Sequence, residues 1–159
     1  LDIAIGINMH IGSKVKLNRK VKIGSNSFLR GRIELGENVI IGEYCSFDNY
    51  PEQKIVIKNN CFFVGGARIK GQVTIDERTR IESGVRITGN SEFPVFIGNS
   101  VIIKGITYIF GSVIENDILI EHSIIKKKRV ERIERKDGTI QPVRYILPLP
   151  EGIDSLRQL

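Results

Sequence analysis

An apolar residue recurs at every sixth position from the start of the chain: Ile5, Ile11, Leu17, Ile23, Leu29, Leu35, Ile41 and Phe47. Glycine follows it at Gly6, Gly12, Gly24, Gly36 and Gly42. A small or β-branched residue usually stands four positions on, as at Val15, Val21, Ser27, Val39 and Cys45. This spacing matches neither a helical turn nor the simple alternation of a strand. Self-similarity at a fixed short period marks a solenoid, in which each unit buries its apolar face against its neighbours.

The pattern continues through Ile57, Phe63, Ile69, Ile75, Ile81, Ile87, Ile97, Ile103 and Ile109, then Ile114, one residue early, and Ile120. Cys61, Ala67, Val73, Thr79, Val85, Ser91, Val101, Thr107, Val113, Ile118 and Ile124 hold the small position. Dealt in rotation to three faces, the leading residues form three columns: one from Ile5 through Phe63 to Ile120, one from Ile11 through Phe47 to Ile109, and one from Leu17 through Ile57 to Ile114. Two steps stretch from six residues to ten, around 48–56 and 88–96. They lie two full turns apart, so both insertions leave the same edge, side by side. Asn49, Tyr50, Pro51 and Glu52 in the first, and Asn90, Glu92, Phe93 and Pro94 in the second, are candidate substrate loops, because loops on a rigid scaffold carry function.

These repeats resemble the hexapeptide-repeat proteins, whose pattern is [LIV]-[GAED]-x-x-[STAV]-x, over roughly Ile5 to Ile125. The resemblance implies an all-β fold, a left-handed parallel β-helix of about six triangular coils, and assembly as a parallel homotrimer with sites in the clefts between prisms. Members include acyltransferases that use acyl-CoA or an acyl carrier, zinc carbonic anhydrases of the gamma class, and non-catalytic assembly subunits. The coils give a domain over 1–125, and 126–159 is a basic appendage that caps the prism or clasps a neighbour. Asp137-Gly138 reads as a hairpin turn, with a helix from Lys126 to Lys136 as the rival. A two-residue loop there pairs Glu131 with Arg144 and Val130 with Tyr145. Pro148 and Pro150 then break the chain, and Ile153, Leu156 and Leu159 form one face of a short terminal helix.

Composition agrees with strands broken by tight turns: Ile and Val dominate, Trp is absent, Met occurs once, and there are 16 glycines. No apolar run reaches the ~18 residues that suggest a membrane span, and no secretory signal is visible. Cys45 and Cys61 fall at small inward positions in different columns, which argues against a disulfide and for a reducing, cytoplasmic setting. The net charge is +6, and Lys14, Lys16, Arg19, Lys20, Lys22, Arg30 and Arg32 crowd the N-terminal part without an acidic neighbour. Such a surface attracts a phosphorylated ligand or an acidic partner, or merely solubilises. The aromatics are expected mostly inward, so nucleic-acid binding is disfavoured.

The chain has two histidines. The columns put His10 in the first coil and His122 in the last. Zinc needs three or four convergent ligands, so a metal site and a carbonic anhydrase are disfavoured. His122 stands two positions after an inward Ile and faces out. The resemblance implies for it the role of general base on a hydroxyl or amine of a small-molecule acceptor. Lys126, Lys127 and Arg129 are candidates to hold the phosphates of acetyl-CoA or another acyl-CoA, a co-substrate rather than a tightly bound cofactor. Asp48, Asp76, Glu82, Glu115 and Glu121 read as corner residues, and Gly65-Gly66 as a tight corner. The scarcity of histidine and of polar clusters keeps a scaffold protein as the alternative to an acyltransferase.

Overall fold

A computed structural model describes residues 2–134, 137–141 and 144–145. Short strands, from two residues (Ala4–Ile5) to five (Val85–Gly89), wind into a parallel β-solenoid of about seven turns, matching a left-handed β-helix. Three sheets of eight, seven and seven strands form its faces. The inward columns are those the six-residue spacing sets. Ile5, Ile23, Ile41, Phe63, Ile81, Ile103 and Ile120 stand in register along the first sheet. Ile11 through Ile125 do so along the second, and Leu17 through Val130 along the third. Nearly all of these side chains are fully buried, each contributing roughly 1.5–3 kcal/mol of hydrophobic stabilisation. Phe47 and Phe63 meet edge to face at 5.1 Å in the middle of the core.

The small inward position has a second use. Its hydroxyl or thiol bonds a corner carbonyl of a neighbouring coil: Ser27 to Gly42 at 3.0 Å, Cys61 to Asp76 at 3.0 Å, and Thr79 to Gly98 at 2.8 Å. Polar atoms therefore enter the core only with a partner. Both cysteines are free and buried.

Four sequence expectations change. Ser91 is exposed in its loop, and Val113 and Ile124 point outward, while Ser112 and Ser123 are buried in place of the last two. The steps from Ile109 to Ile114 and from Ile120 to Ile125 are one residue short, which brings the third residue after the inward Ile, not the fourth, into the interior. The coil register also runs past Ile125: Arg129–Val130 pairs with Val113–Ile114, and Val130 is buried. The hairpin is present in a different register, with Ile133 opposite Gln141 and Glu134 opposite Ile140. Asp137 Oδ1 accepts from the Thr139 amide at 2.9 Å and from its hydroxyl, so the turn takes in Thr139. Arg144–Tyr145 does not face Val130–Glu131; it adds a parallel strand to Leu119–Ile120 on the first sheet. Lastly, among the described aromatics with described side chains only Phe47 and Phe63 are buried; Phe28, Phe62, Phe93, Tyr108 and Phe110 are half-buried, and Tyr44, Tyr50 and Phe96 are exposed. Phe28, Phe62, Phe96, Tyr108 and Phe110 occupy strand positions beside the inward residue, which a parallel strand turns outward, while Tyr44 lies in a turn and Tyr50 and Phe93 in the insertions. Pro148, Pro150 and the anticipated terminal helix lie outside the described residues.

Candidate functional site

His122 occupies the last described corner between the first and second sheets, with φ +43°. The corner residues one and two turns before it are Gly105 and Gly84, both at positive φ. Gly105 matters directly: a Cβ there would stand 2.5 Å from the imidazole, so its absence makes the seat on which the ring lies. His122 Nδ1 accepts a hydrogen bond of 3.3 Å from the Ile106 amide. With Nδ1 accepting, the neutral ring carries its proton on Nε2 and presents a donor to solvent. Beneath it, Glu121 is buried and paired with Lys104 at 3.2 Å, and the Ser123 hydroxyl donates to the Glu121 carbonyl at 2.6 Å. Ile106, next to the ring, is 84% exposed.

The three basic residues singled out beyond the coils fall on different surfaces. Lys126 extends from the second sheet, 5.9 Å from the Tyr108 ring. Lys127 takes the next corner, its ammonium 4.1 Å over the Phe93 ring of the second insertion. Arg129 lies on the third sheet and is bound by Glu115 at 2.8 Å and Glu131 at 3.8 Å. Within one chain, only Lys126 shares a sheet with the strand that follows His122.

The two insertions do leave the same edge, between the second and third sheets, with the coil of Gly71–Gln72 between them. Neither is slack. Asn49 is buried, and its amide group exchanges hydrogen bonds with the peptide groups of Arg32, at 3.1 Å from the amide and 2.9 Å to the carbonyl. Gln53, also buried, accepts from the Tyr50 amide at 3.1 Å. Asn90 accepts from the Phe93 amide at 2.7 Å. Asn49 and Asn90 are therefore loop-closing residues, whereas Tyr50, Glu52 and Glu92 are exposed.

The corner carboxylates are committed. Asp48 binds Arg30, Asp76 binds Lys58, Glu82 binds Arg80, Glu115 binds Arg129 and Glu121 binds Lys104, all at 2.8 to 3.5 Å. His10 stacks on Phe28 at 4.7 Å in the first coil, six strand spacings, or about 29 Å, from the coil of His122. Among the described residues no group of three or more His, Cys, Asp or Glu is placed to hold a metal ion. The thiols are not activated either: burial pushes Cys61 up to about 11 and raises Cys45. Sequence reasoning missed Gly105 and Ile106, the residues that seat the imidazole. Their connection to His122 runs across one turn of the coil, and nothing in the local sequence marks it.

These registers define the fold as a left-handed parallel β-helix of hexapeptide repeats. No family model matches the chain. A curated relative, the bifunctional protein GlmU of Wigglesworthia glossinidia brevipalpis, is 31% identical over 91 residues, covering 52% of this chain and 20% of that protein. The chain thus spans one-fifth of the length of this relative. Among solved structures, LpxA from Acinetobacter baumannii is 16% identical with a TM-score of 0.45, covering 99% of this chain and 70% of that one. A UDP-N-acetylglucosamine acyltransferase from Campylobacter jejuni is 12% identical with a TM-score of 0.40, over 77% and 64% of the two chains. The polysialic acid O-acetyltransferase OatWY is 16% identical with a TM-score of 0.41, over 94% and 92%.

Proposed function

We propose that this protein is an acyltransferase that moves an acyl group, acetyl in the simplest case, from CoA or an acyl carrier to a hydroxyl or amine of a small molecule. The observation that carries the reading is the seat of His122: an exposed imidazole, held over Gly105 on a rigid coil. The acceptor's oxygen or nitrogen attacks the thioester carbonyl, a C–O or C–N bond forms, and the C–S bond breaks. The acceptor's proton passes to the histidine and then to the departing thiolate. As it stands, the ring offers Nε2–H, which suits it to bind the carbonyl oxygen. To act as base at Nε2 it must release the Ile106 amide and carry its proton on Nδ1. That bond is long, and losing it costs on the order of 1 kcal/mol, so acceptor binding is sufficient to shift the ring.

In this reading the protein works as a parallel homotrimer. Two outward apolar pairs on the first sheet, Ile40 with Phe62 and Ile102 with Leu119, supply the packing surface on either side of Arg80, whose guanidinium lies 4.8 Å over the Phe62 ring. In a parallel trimer a neighbour's Lys127 then stands at the height of the His122 corner, which Lys126 flanks from the same chain. The neighbour's loop with Glu92 and its loop with Tyr50 and Glu52 lie about 10 Å and about 19 Å away along the axis. The alternative is a non-catalytic scaffold of the same fold, favoured by the paired state of every corner carboxylate named above and by the spread of Lys126, Lys127 and Arg129 over three surfaces.

Calorimetry and thermal shift with acetyl-CoA and CoA separate the two. The acyltransferase shows saturable binding of both, and His122→Ala retains that binding while turnover falls by about 100-fold or more. Absence of stabilisation by any CoA species leaves the scaffold.

A further inference from the structure

Folding stacks charges on the second sheet that lie far apart in the chain. Arg68 and Arg86 are directly registered partners on adjacent parallel strands, with their Cα atoms about 4.8 Å apart. Lys70 stands opposite Thr88 on the same two strands, and Ser46 continues the arginine column one coil earlier. Together they line a surface cavity of about 240 Å³ whose lining includes Asp48, the register partner of Lys70 on the strand one coil earlier. Both oxygens of Asp48 are already taken by Arg30, at 2.9 Å each. Arg68, Lys70 and Arg86 are exposed and make no ion pair with any described residue; Lys70 only approaches the Tyr50 ring, at 5.9 Å. Neighbouring coils elsewhere stack opposite charges in this outward layer, as Arg30 on Asp48 and Lys16 on Glu34. Arg68 and Arg86 instead stack like charges, on strands too rigid to spread them. Like-charge neighbours across a ladder are unfavourable unless an anion lies between them.

We infer that Arg68, Lys70 and Arg86, with the hydroxyls of Ser46 and Thr88, form a binding site for a phosphate group. Guanidinium forks on adjacent strands match the oxygens of a phosphate or phosphomonoester, and the lysine adds a point charge. Tyr108 follows Arg86 in the same column and gives a face on which an organic part of the ligand stacks. The site is independent of His122 and of acyl transfer.

The test is titration calorimetry of the full chain at low salt with pyrophosphate and with AMP as probes. The wild type binds both, and Arg68→Gln and Arg86→Gln each weaken both by about tenfold, with the circular dichroism spectrum unchanged. Lys20→Gln with Lys22→Gln, which removes two cations elsewhere, leaves the affinities within twofold. Equal affinity for the two probes assigns the site to the phosphate itself. Tighter AMP, lost selectively in Tyr108→Leu, assigns it to a phosphomonoester on a larger molecule. The inference is overturned by no binding of either probe at 5 mM, or by equal weakening in the lysine control. It also fails if a single-stranded oligonucleotide binds tightly and keeps its affinity in the doubly substituted arginine variant, which would make the attraction a property of the whole basic face.

Discussion

At the scale of single residues, Gly105 and His122 act as one unit. Gly84 stands one turn earlier at nearly the same φ, +81° against +73°, but a Cβ on it would meet nothing closer than 3.5 Å. Gly84→Ala is therefore expected to cost the left-handed backbone alone, about 1 kcal/mol. Gly105→Ala adds the displacement of the imidazole, and its larger loss in urea denaturation measures how firmly the ring is seated. The two cysteines give a second expectation. Buried thiols stay protonated, so neither should react with Ellman's reagent in the native protein at pH 8, and both should react on unfolding. For Cys61 the sign follows from its raised value: between about 9, the ordinary thiol, and about 11, the folded chain holds a proton that the unfolded chain releases. Stability is undiminished below that window and falls as pH rises through it, which a denaturation series from pH 8 to 11 reads out.

Among the elements, the first insertion shows how a ten-residue step is made rigid. Asn49 replaces a missing ladder with its own amide, satisfying both peptide groups of Arg32. Asn49→Ala takes this acceptor from the Arg32 amide, while the Arg32 carbonyl keeps the Ile55 amide as donor, and a loss of roughly 0.5–1.5 kcal/mol is expected in thermal or chemical unfolding. The inward columns were legible in the sequence because a fixed period of apolar residues sets the register of a parallel ladder by itself. Where the period shortened, after Ile109 and Ile120, counting alone put Val113 and Ile124 inside. Packing chose Ser112 and Ser123, whose hydroxyls bond backbone carbonyls. The hairpin was legible in its turn residues but not in its register, because one side-chain acceptor on Asp137 lengthens the turn.

For the whole molecule, the outward apolar pairs on the first sheet, Ile40 with Phe62 and Ile102 with Leu119, make self-association testable. Sedimentation of the wild type is expected to show a trimer, and Ile102→Glu, which puts a charge at a 41% exposed position without touching the core, is expected to give a monomer with an unchanged circular dichroism spectrum. A wild type that sediments as a monomer would remove the neighbour from the His122 site. The sequence by itself determined the prism: its three inward columns, the edge shared by both insertions, the separation of the two histidines and the burial of the two cysteines. All of these depend on a period that repeats along the chain. The tertiary structure alone decided which outward residues meet. It placed the ring of His122 against Gly105 and the Ile106 amide, dispersed Lys126, Lys127 and Arg129, and stacked Arg68 on Arg86. Outward side chains find their partners one coil away, and the coil length that sets this offset varies with each insertion and each short step.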